Sequence, residues 1–371
     1  MIGTMRIVYV YPSLAIYGGI ERILIDKMNY LAREYGQDVY MITSDQGKNP
    51  IPYHLDERVH VIDLDICFYT RYQYGLIRRI WMYFQMTRQY KNKLRRILAE
   101  IQPDILLCTT VYGVEELLDV KGKRPLVVES HVNFSHPGNW IHSIKKMYDH
   151  YWIRKADAVV TLTKGDAMDW RRISKHVYVI PNVVHLNESG KYSTCSNKRA
   201  IFVGRIVEQK GLPELLTVWR LVHQRHPDWQ LDVYGDGDVQ LPHDQLSDIN
   251  IQVHNSVSNI FEKYTESSML LLTSIYEPFG LVMPEAMSCG VPVVAFDCPY
   301  GPATIVTDGE DGFLVKNRDC QVFADRVCQL IENESLRQGM GKKAILSSQR
   351  YTADKIMPQW LNLFKNLISG V

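Results

Sequence analysis

Short apolar segments alternate along this chain with longer segments in which apolar residues recur at helical spacing. In the first half, strands are predicted at residues 6–11, 38–43, 59–63, 105–109, 126–129, 158–162 and 177–180. In the second half, they are predicted at residues 200–203, 230–234, 251–253, 269–272 and 291–296. Strands that are apolar on both faces and separated by helices are typical of parallel sheets covered by helices. The pattern therefore predicts an α/β protein with two doubly wound, Rossmann-like halves.

The length of 371 residues supports two domains, each large enough for its own core. We predict an N-terminal domain over residues 1–183, a polar linker over 184–198, a second domain over 199–351 and a last amphipathic helix over 352–371. No apolar run reaches the roughly 18 residues of a membrane span. The N-terminus lacks a signal-peptide pattern, and the seven cysteines form no C-x-x-C pair. These features favour a cytoplasmic protein with reduced thiols.

Charge is distributed unevenly, although the net charge is only +1. Residues 1–185 carry 25 Lys+Arg and 19 Asp+Glu, a balance of +6, whereas the remaining residues carry 17 and 22, a balance of −5. No acidic residue lies between Asp65 and Glu100, and eight cations lie within residues 71–96. A cationic first half favours an anionic surface or acceptor there.

Residues 71–101 are predicted to form a basic amphipathic helix with two apolar stripes. The smaller stripe, on a different face from the core-facing one, consists of Ile77, Trp81 and Phe84. A solvated basic face and a contact of residues 71–96 with an anionic membrane surface both fit this pattern, and both interpretations stay open. The stripe that should face the core consists of positions 76, 80, 83, 87, 90, 94, 97, 98 and 101.

The most informative stretch is residues 273–295, T-S-I-Y-E-P-F-G-L-V-M-P-E-A-M-S-C-G-V-P-V-V-A. Glu277 follows a predicted strand, and Glu285 lies in the first turn of a short predicted helix over residues 284–289. Open parallel sheets bind ligands at such strand ends. The amides of Gly280 and Leu281 precede the helix, where they can meet an anion. Taken alone, the two glutamates are also compatible with ordinary capping roles.

As a whole, the stretch closely resembles the signature of the retaining nucleotide-sugar glycosyltransferases of family four, the group 1 glycosyl transferases. The resemblance implies the GT-B fold, with two Rossmann-like domains facing a central cleft and the C-terminal helix returning to the first domain. It also implies that Glu277 meets the donor sugar and Glu285 the nucleotide ribose. The backbone of Phe279, Gly280 and Leu281 would meet the donor sugar and phosphates.

Two cations occupy a similar strand end in G-R-I-V-E-Q-K-G. Arg205 and Lys210 are close enough in sequence to reach one diphosphate, with a surface salt bridge as the alternative. The resemblance assigns both to the donor diphosphate, and it places Ser256 and Val257 near the nucleotide base.

The first half carries a glycine pair and a histidine that the resemblance also covers. Gly18 and Gly19 open a predicted helix, where free amides can meet a ligand or simply form a tight turn. Relatives use such a pair at the acceptor and the donor phosphates. His131 follows a predicted strand, where the family has a histidine that contacts the donor sugar. A lone histidine at a strand end is otherwise more often structural.

The resemblance thus implies a retaining hexosyltransferase that uses a nucleotide sugar, UDP-linked by family frequency, and a glycan or lipid-linked acceptor in cell-surface polysaccharide or glycolipid synthesis. No metal is expected, because the Asp-x-Asp triplets at Asp63 and Asp236 lack the context of a metal motif. No other cofactor and no nucleic-acid partner are expected either. A sugar-nucleotide epimerase of the same fold and a non-catalytic glycan-binding protein are the alternatives. The predicted catalytic residues are Glu277, Arg205, Lys210 and His131.

Overall fold

The computed structural model describes residues 3–109, 113–131, 134, 140–237 and 246–370 of the chain. The chain divides into two compact units. The first contains Met1–Val183 and Ile356–Val371, and the second contains Val184–Lys355. The last helix therefore belongs to the first unit, although it follows the second unit in sequence.

The first unit is built on a parallel sheet with the order β3-β2-β1-β4-β5-β6-β7. Val8 pairs with Tyr40 on one side and with Leu106 on the other, so the strand order reverses between β1 and β4. Ligands of doubly wound sheets bind where such a reversal occurs. The strands are β1 (Arg6–Val10), β2 (Asp38–Thr43), β3 (Val59–Asp63), β4 (Ile105–Thr109), β5 (Leu126–Glu129), β6 (Ala158–Thr161) and β7 (Val177–Val179).

Helices pack against this sheet and share its core. Leu94 and Leu98 of the second helix join Val8 and Leu106 of the sheet in one buried cluster. The helices are α1 (Gly19–Arg33), α2 (Leu76–Ile101), α3 (Val114–Val120), α4 (Trp140–Ile153), α5 (Lys164–Trp170) and, at the C-terminal end, α12 (Ala353–Ser369).

The predicted core-facing stripe of helix α2 is buried only in the second half of the helix. Tyr90, Leu94 and Leu98 are buried as expected. Leu76 and Ile80, which belong to the same predicted stripe, are 64% and 51% exposed, because the core residues that α2 contacts lie along its later turns. None of the helices in the described part of the chain combines the length and apolarity needed to cross a bilayer.

The second unit repeats the architecture with the order β10-β9-β8-β11-β12-β13, again all parallel. The last strand, β13, was not predicted, because its G-F-L-V sequence follows directly on a glycine-containing loop that obscures where the strand begins. The strands are β8 (Arg199–Val203), β9 (Gln230–Tyr234), β10 (Ile251–His254), β11 (Met269–Leu272), β12 (Val293–Phe296) and β13 (Gly312–Val315). The helices are α6 (Leu212–Arg225), α7 (Ile260–Thr265), α8 (Val282–Ser288), α9 (Pro302–Ile305), α10 (Cys320–Glu332) and α11 (Glu334–Ser348).

The tract predicted as a linker, residues 184–198, instead packs on the second unit. Cys195 is buried and its thiol donates to the carbonyl of Gly290 at 3.2 Å. Arg337 Nε donates to the Cys195 carbonyl at 2.7 Å. These side-chain bonds attach the backbone of the tract to the unit. All seven cysteines of the chain are free thiols.

Candidate active site

The loop between β11 and α8 holds Glu277 in a nearly buried position. Its amide donates to the Pro299 carbonyl at 2.8 Å, and its carbonyl accepts from the amides of Tyr300 and Gly301 at 2.9 and 2.8 Å. These bonds tie the loop to the segment that follows β12. Ser274 Oγ donates to Glu277 Oε2 at 3.2 Å, so the backbone and the carboxylate are both fixed.

Lys210 lies directly against this carboxylate. Its Nζ is 2.6 Å from Glu277 Oε2, and the two residues are only 9% and 7% exposed. The turn that follows requires a glycine, because Gly211 has φ +64° and a Cβ there would lie 2.1 Å from the carbonyl oxygen of Thr273. Thr273 Oγ1 in turn donates to the Lys210 carbonyl at 3.0 Å. The loops that carry Lys210 and Glu277 therefore meet, and their charged residues pair.

Backbone bonds join the loop after β8 to the loop after β11. The Ile275 amide donates to the Gln209 carbonyl at 2.8 Å. Gln209 Nε2 donates to the Tyr276 carbonyl at 3.1 Å. The two charged residues of the site are therefore held by a continuous network rather than by two independent loops.

Arg318 supports this network and was missed from the sequence. Its Nη1 donates to the Ser274 carbonyl at 2.7 Å, and its Nη2 lies 2.7 Å from Glu214 Oε1. The guanidinium also lies over the Phe296 ring at 4.8 Å. No local motif marks Arg318, since its partners lie 44 and 104 residues away along the chain.

Arg205, the other predicted phosphate ligand, differs from Lys210 in its surroundings. It is exposed, and within the described residues it forms no salt bridge. Burial raises the pKa of the Tyr276 phenol, and the nearby Arg205 cation opposes that shift. Arg205 therefore lies beside the Glu277 loop with its charge available to a ligand.

Gly280 turns the chain sharply after Glu277. Its φ is +90°, and a Cβ there would approach Met283 Cε to 2.6 Å and Glu277 Cγ to 2.9 Å. A side chain at this position would thus displace the carboxylate. The Phe279 side chain is buried and meets the Tyr351 ring edge-on at 5.2 Å, which leaves only its backbone for a ligand.

Helix α8 begins at Val282, two residues before the predicted start, with Leu281 as its N-cap. Proline is tolerated within a first turn, so Pro284 did not mark the boundary. Glu285 lies in this first turn and is buried, with the Tyr264 hydroxyl of α7 donating to its Oε2 at 3.5 Å.

The residues predicted near the nucleotide base lie on an exposed loop after β10. The amide of Ser256 donates to Asp236 Oδ1 at 3.2 Å, and hydrogen bonds from Ser256 lower the pKa of that carboxyl. Val257 is exposed beside it.

In the first unit, Gly18 is the N-cap of α1 and Gly19 is its first residue. The carboxylate of Glu21 fills the space beside them, since a Cβ on Gly18 would lie 2.2 Å from Glu21 Oε2. Tyr11 donates to Glu21 Oε1 at 2.8 Å. The helix start thus carries a negative charge of the chain itself, at the point where the sequence predicts phosphate contacts.

His131 is buried after β5 and belongs to a polar cluster. Its Nε2 lies 3.1 Å from Glu129 Oε2, and the same oxygen accepts from Lys27 Nζ. Lys27 also lies over the Trp360 ring of α12 at 4.1 Å. Burial pushes the pKa of Glu129 upward, but Lys27 and His131 hold it below its usual value. His131 Nδ1 makes no hydrogen bond to the described part of the chain.

Across the described ranges, no three His, Cys, Asp or Glu side chains come close enough together to hold a metal ion. Asp63 of the first Asp-x-Asp triplet accepts from Thr43 Oγ1 at 2.9 Å and from the Gly47 amide at 2.8 Å. Asp238 of the second triplet lies outside the described residues.

Comparison with known proteins follows the same division into two units. The Glycosyltransferase Family 4 model matches residues 17–188, and the Glycosyl transferases group 1 model matches residues 193–347. An uncharacterized glycosyltransferase of Haemophilus influenzae is 28% identical over 96% of this chain and 98% of its own length. The poly(ribitol-phosphate) alpha-N-acetylglucosaminyltransferase of Staphylococcus aureus is 27% identical over 75% of this chain and 60% of its own length.

A solved structure shows the same fold. A mutant of S. aureus TarM, in complex with Fondaparinux, alpha-GlcNAc-glycerol and UDP, matches with a TM-score of 0.77 at 17% identity, over 97% of this chain and 100% of that one. The two parallel-sheet units define a GT-B protein. The chain belongs to the group 1 glycosyl transferases of family four, which transfer glycosyl groups from nucleotide sugars. The predicted family and GT-B fold are confirmed, and so is the prediction of a glycosyltransferase.

Proposed function

We propose that this enzyme moves a hexose or N-acetylhexosamine from a UDP-sugar to a hydroxyl of a glycan or lipid-linked acceptor, with retention at the anomeric carbon and without a metal ion. The proposal rests on the buried Lys210–Glu277 pair beside the exposed Arg205. Support for the donor comes from the relatives, one being an alpha-N-acetylglucosaminyltransferase and another binding UDP.

In the proposed reaction, the bond between the anomeric carbon and the diphosphate oxygen breaks while the acceptor oxygen bonds to the same face. The transition state resembles an oxocarbenium ion, and negative charge grows on the leaving phosphate. Lys210 and Arg205 stabilise that charge from fixed positions. The acceptor hydroxyl passes its proton to the leaving phosphate, so no side chain serves as general base.

Glu277 is proposed to orient the donor sugar rather than to attack it. Lys210 and Ser274 both bind its Oε2, which lowers the nucleophilicity of the carboxylate and fixes its direction. Glu285, buried in the first turn of α8, is proposed to accept hydrogen bonds from the ribose hydroxyls. His131 is proposed to contact the donor sugar through Nδ1, because Nε2 is bound to Glu129.

A two-stage assay tests this function. A thermal-shift panel of UDP-, GDP- and ADP-sugars should show stabilisation by one UDP-sugar, about 2.7 kcal/mol at a hundredfold excess over Kd. NMR of the product made from that donor should then show an α-linkage, with equal rates in excess chelator. A β-linked product refutes retention, and activity that returns only with Mg²⁺ or Mn²⁺ refutes the metal-free reaction. Epimerised donor in the absence of acceptor would favour the epimerase alternative.

A peripheral location on the cytoplasmic face of a membrane is the second part of the proposal. Its support is the first half of α2, where Ile77, Trp81 and Phe84 are 86%, 56% and 68% exposed. Arg78 and Arg88 are exposed around them. Aromatic residues favour the membrane interface, and each cation near an anionic leaflet contributes about 1 kcal/mol.

Co-sedimentation with vesicles tests the membrane contact. The wild type should sediment with phosphatidylserine-containing vesicles at low salt and less at high salt, and a variant with Ile77→Ser, Trp81→Ser and Phe84→Ser should remain in the supernatant. The control is Lys91→Ser, which changes a cation of α2 that is already paired with Asp119 at 2.6 Å. It should sediment as the wild type does. Wild type that stays in the supernatant at low salt refutes the contact.

A further inference from the structure

The first unit contains a cavity of about 840 Å³ at the carboxyl ends of β1 and β2. Its walls come from the loops after those strands, the segment between β3 and α2, the start of α3, and parts of α2 and α4. Its described lining residues lie between residues 10 and 153, within one unit. This volume lies in the range of small-molecule sites and is large enough for a short oligosaccharide.

Aromatic rings form much of the lining. Phe68 lies 6.3 Å from the ring of Tyr83 and meets the Tyr90 ring edge-on at 5.8 Å. On the α4 side, Tyr148 and Trp152 meet edge-on at 6.2 Å. The negative faces of such rings attract the polarised C–H groups of a sugar ring. The rings also carry hydroxyl and N–H groups that can bond to sugar hydroxyls.

The charged lining is acidic. Among the described residues of the lining, the carboxylates of Asp45, Glu115, Glu116 and Asp149 outnumber the cations of Arg71 and Lys145. Lys145 Nζ is already paired with Asp149 at 2.9 Å. The guanidinium of Arg71 lies over three aromatic rings, at 4.8–5.9 Å from their centroids, rather than facing a carboxylate.

Glu116 lies in this lining without a salt bridge to any described residue, whereas Glu115 accepts from the Tyr148 hydroxyl. Burial and the charge of Glu116 both raise the pKa of the Tyr83 and Tyr90 phenols. A phosphate or uronate in the cavity would therefore meet like charge in a partly desolvated place.

We propose that this cavity binds the saccharide part of the acceptor, and that this saccharide is neutral or amine-bearing rather than phosphorylated. The inference rests on the proposed function, in which the enzyme has a glycan or lipid-linked acceptor. It deepens that function by naming the chemical class of the acceptor. It separates this enzyme from the S. aureus relative, whose acceptor by name is poly(ribitol phosphate). Hydroxyl groups of a neutral sugar are donors that the carboxylates of the lining can accept.

A glycan array tests the inference on the full chain saturated with UDP. The array carries neutral, amino, uronate and phosphorylated glycans, together with poly(ribitol phosphate). Wild type should bind neutral or amino glycans at least tenfold more tightly than phosphorylated ones. Tyr83→Ala should weaken that binding at least tenfold, Tyr83→Phe should retain it, and Glu116→Gln should reduce the discrimination against phosphorylated glycans.

The control is Tyr178→Ala, which removes an exposed tyrosine of β7 that does not line the cavity and should leave glycan binding unchanged. Equal or tighter binding of phosphorylated glycans by wild type overturns the inference, as does unchanged binding by Tyr83→Ala or no glycan bound at all. Thermal shifts with the UDP-sugar are measured on nucleotide-free portions of the same protein preparations. Intact donor binding with a preference for phosphorylated glycans overturns only this inference, whereas loss of all donor binding overturns the proposed function.

Discussion

Lys210 and Glu277 form a nearly buried ion pair, with Lys210 Nζ 2.6 Å from Glu277 Oε2. The lysine that is proposed to meet the diphosphate therefore also compensates the carboxylate that is proposed to orient the sugar. Removal of either charge affects the other residue as well as the ligand. The pair makes donor binding and local stability interdependent.

We predict that Lys210→Ala abolishes most transfer and also destabilises the second unit. An uncompensated buried carboxylate costs about 3–5 kcal/mol, so the thermal midpoint should fall clearly. The double variant Lys210→Ala with Glu277→Gln should recover much of the midpoint while remaining inactive. Calorimetry and a transfer assay on the same samples check this, and a single variant as stable as the wild type would refute the coupling.

Arg205→Ala is predicted to lower transfer while leaving stability nearly unchanged. The side chain is exposed and unpaired among the described residues, so stability should change by less than about 0.5 kcal/mol. Loss of a charge-assisted contact to the leaving phosphate should lower kcat by about 10²–10³-fold. Arg220→Ala, an exposed arginine of α6, is the matched control and should have neither effect. Near-normal kcat in Arg205→Ala contradicts its assignment to the diphosphate.

Gly280→Ala is predicted to impair turnover through Glu277. A positive φ costs a non-glycine residue about 1–3 kcal/mol, and the added methyl would also press on Glu277 Cγ at 2.9 Å. Gly309→Ala is the control, because its φ is +76° but a Cβ there meets nothing within 4 Å. Both variants should lose stability, and only Gly280→Ala should lower kcat. Equal kcat values for the two would show that the carboxylate tolerates the displacement.

The two nitrogens of His131 are predicted to serve different partners. A glutamine amide reaches the position of Nε2 and an asparagine amide the position of Nδ1. His131→Gln should keep the bond to Glu129 and near-normal stability but lose activity. His131→Asn should lose that bond, at about 1–3 kcal/mol, and retain more activity than the glutamine variant. Calorimetry and initial rates check the pair, and the reverse order of stabilities would contradict this geometry.

The sequence by itself predicted the α/β fold, which is confirmed, and it singled out the residues of the proposed donor site. Strands that are buried on both faces read as continuous apolar runs, and their ends carry the glycines and charges that a strand-end site needs. For this reason Arg205, Lys210, Glu277 and Glu285 were found from local patterns. The family resemblance added their roles, which spacing alone does not specify.

Only the tertiary structure decided which of these residues touch, which side chains remain exposed and which unexpected residues support them. The pair of Lys210 with Glu277 spans 67 residues, and that of Lys27 with Glu129 spans 102. Likewise, helical periodicity described α2 correctly as amphipathic but could not show that Leu76 and Ile80 lie beyond the core. Local patterns encode the direction in which a side chain points, whereas burial and pairing depend on the elements that folding brings opposite to it.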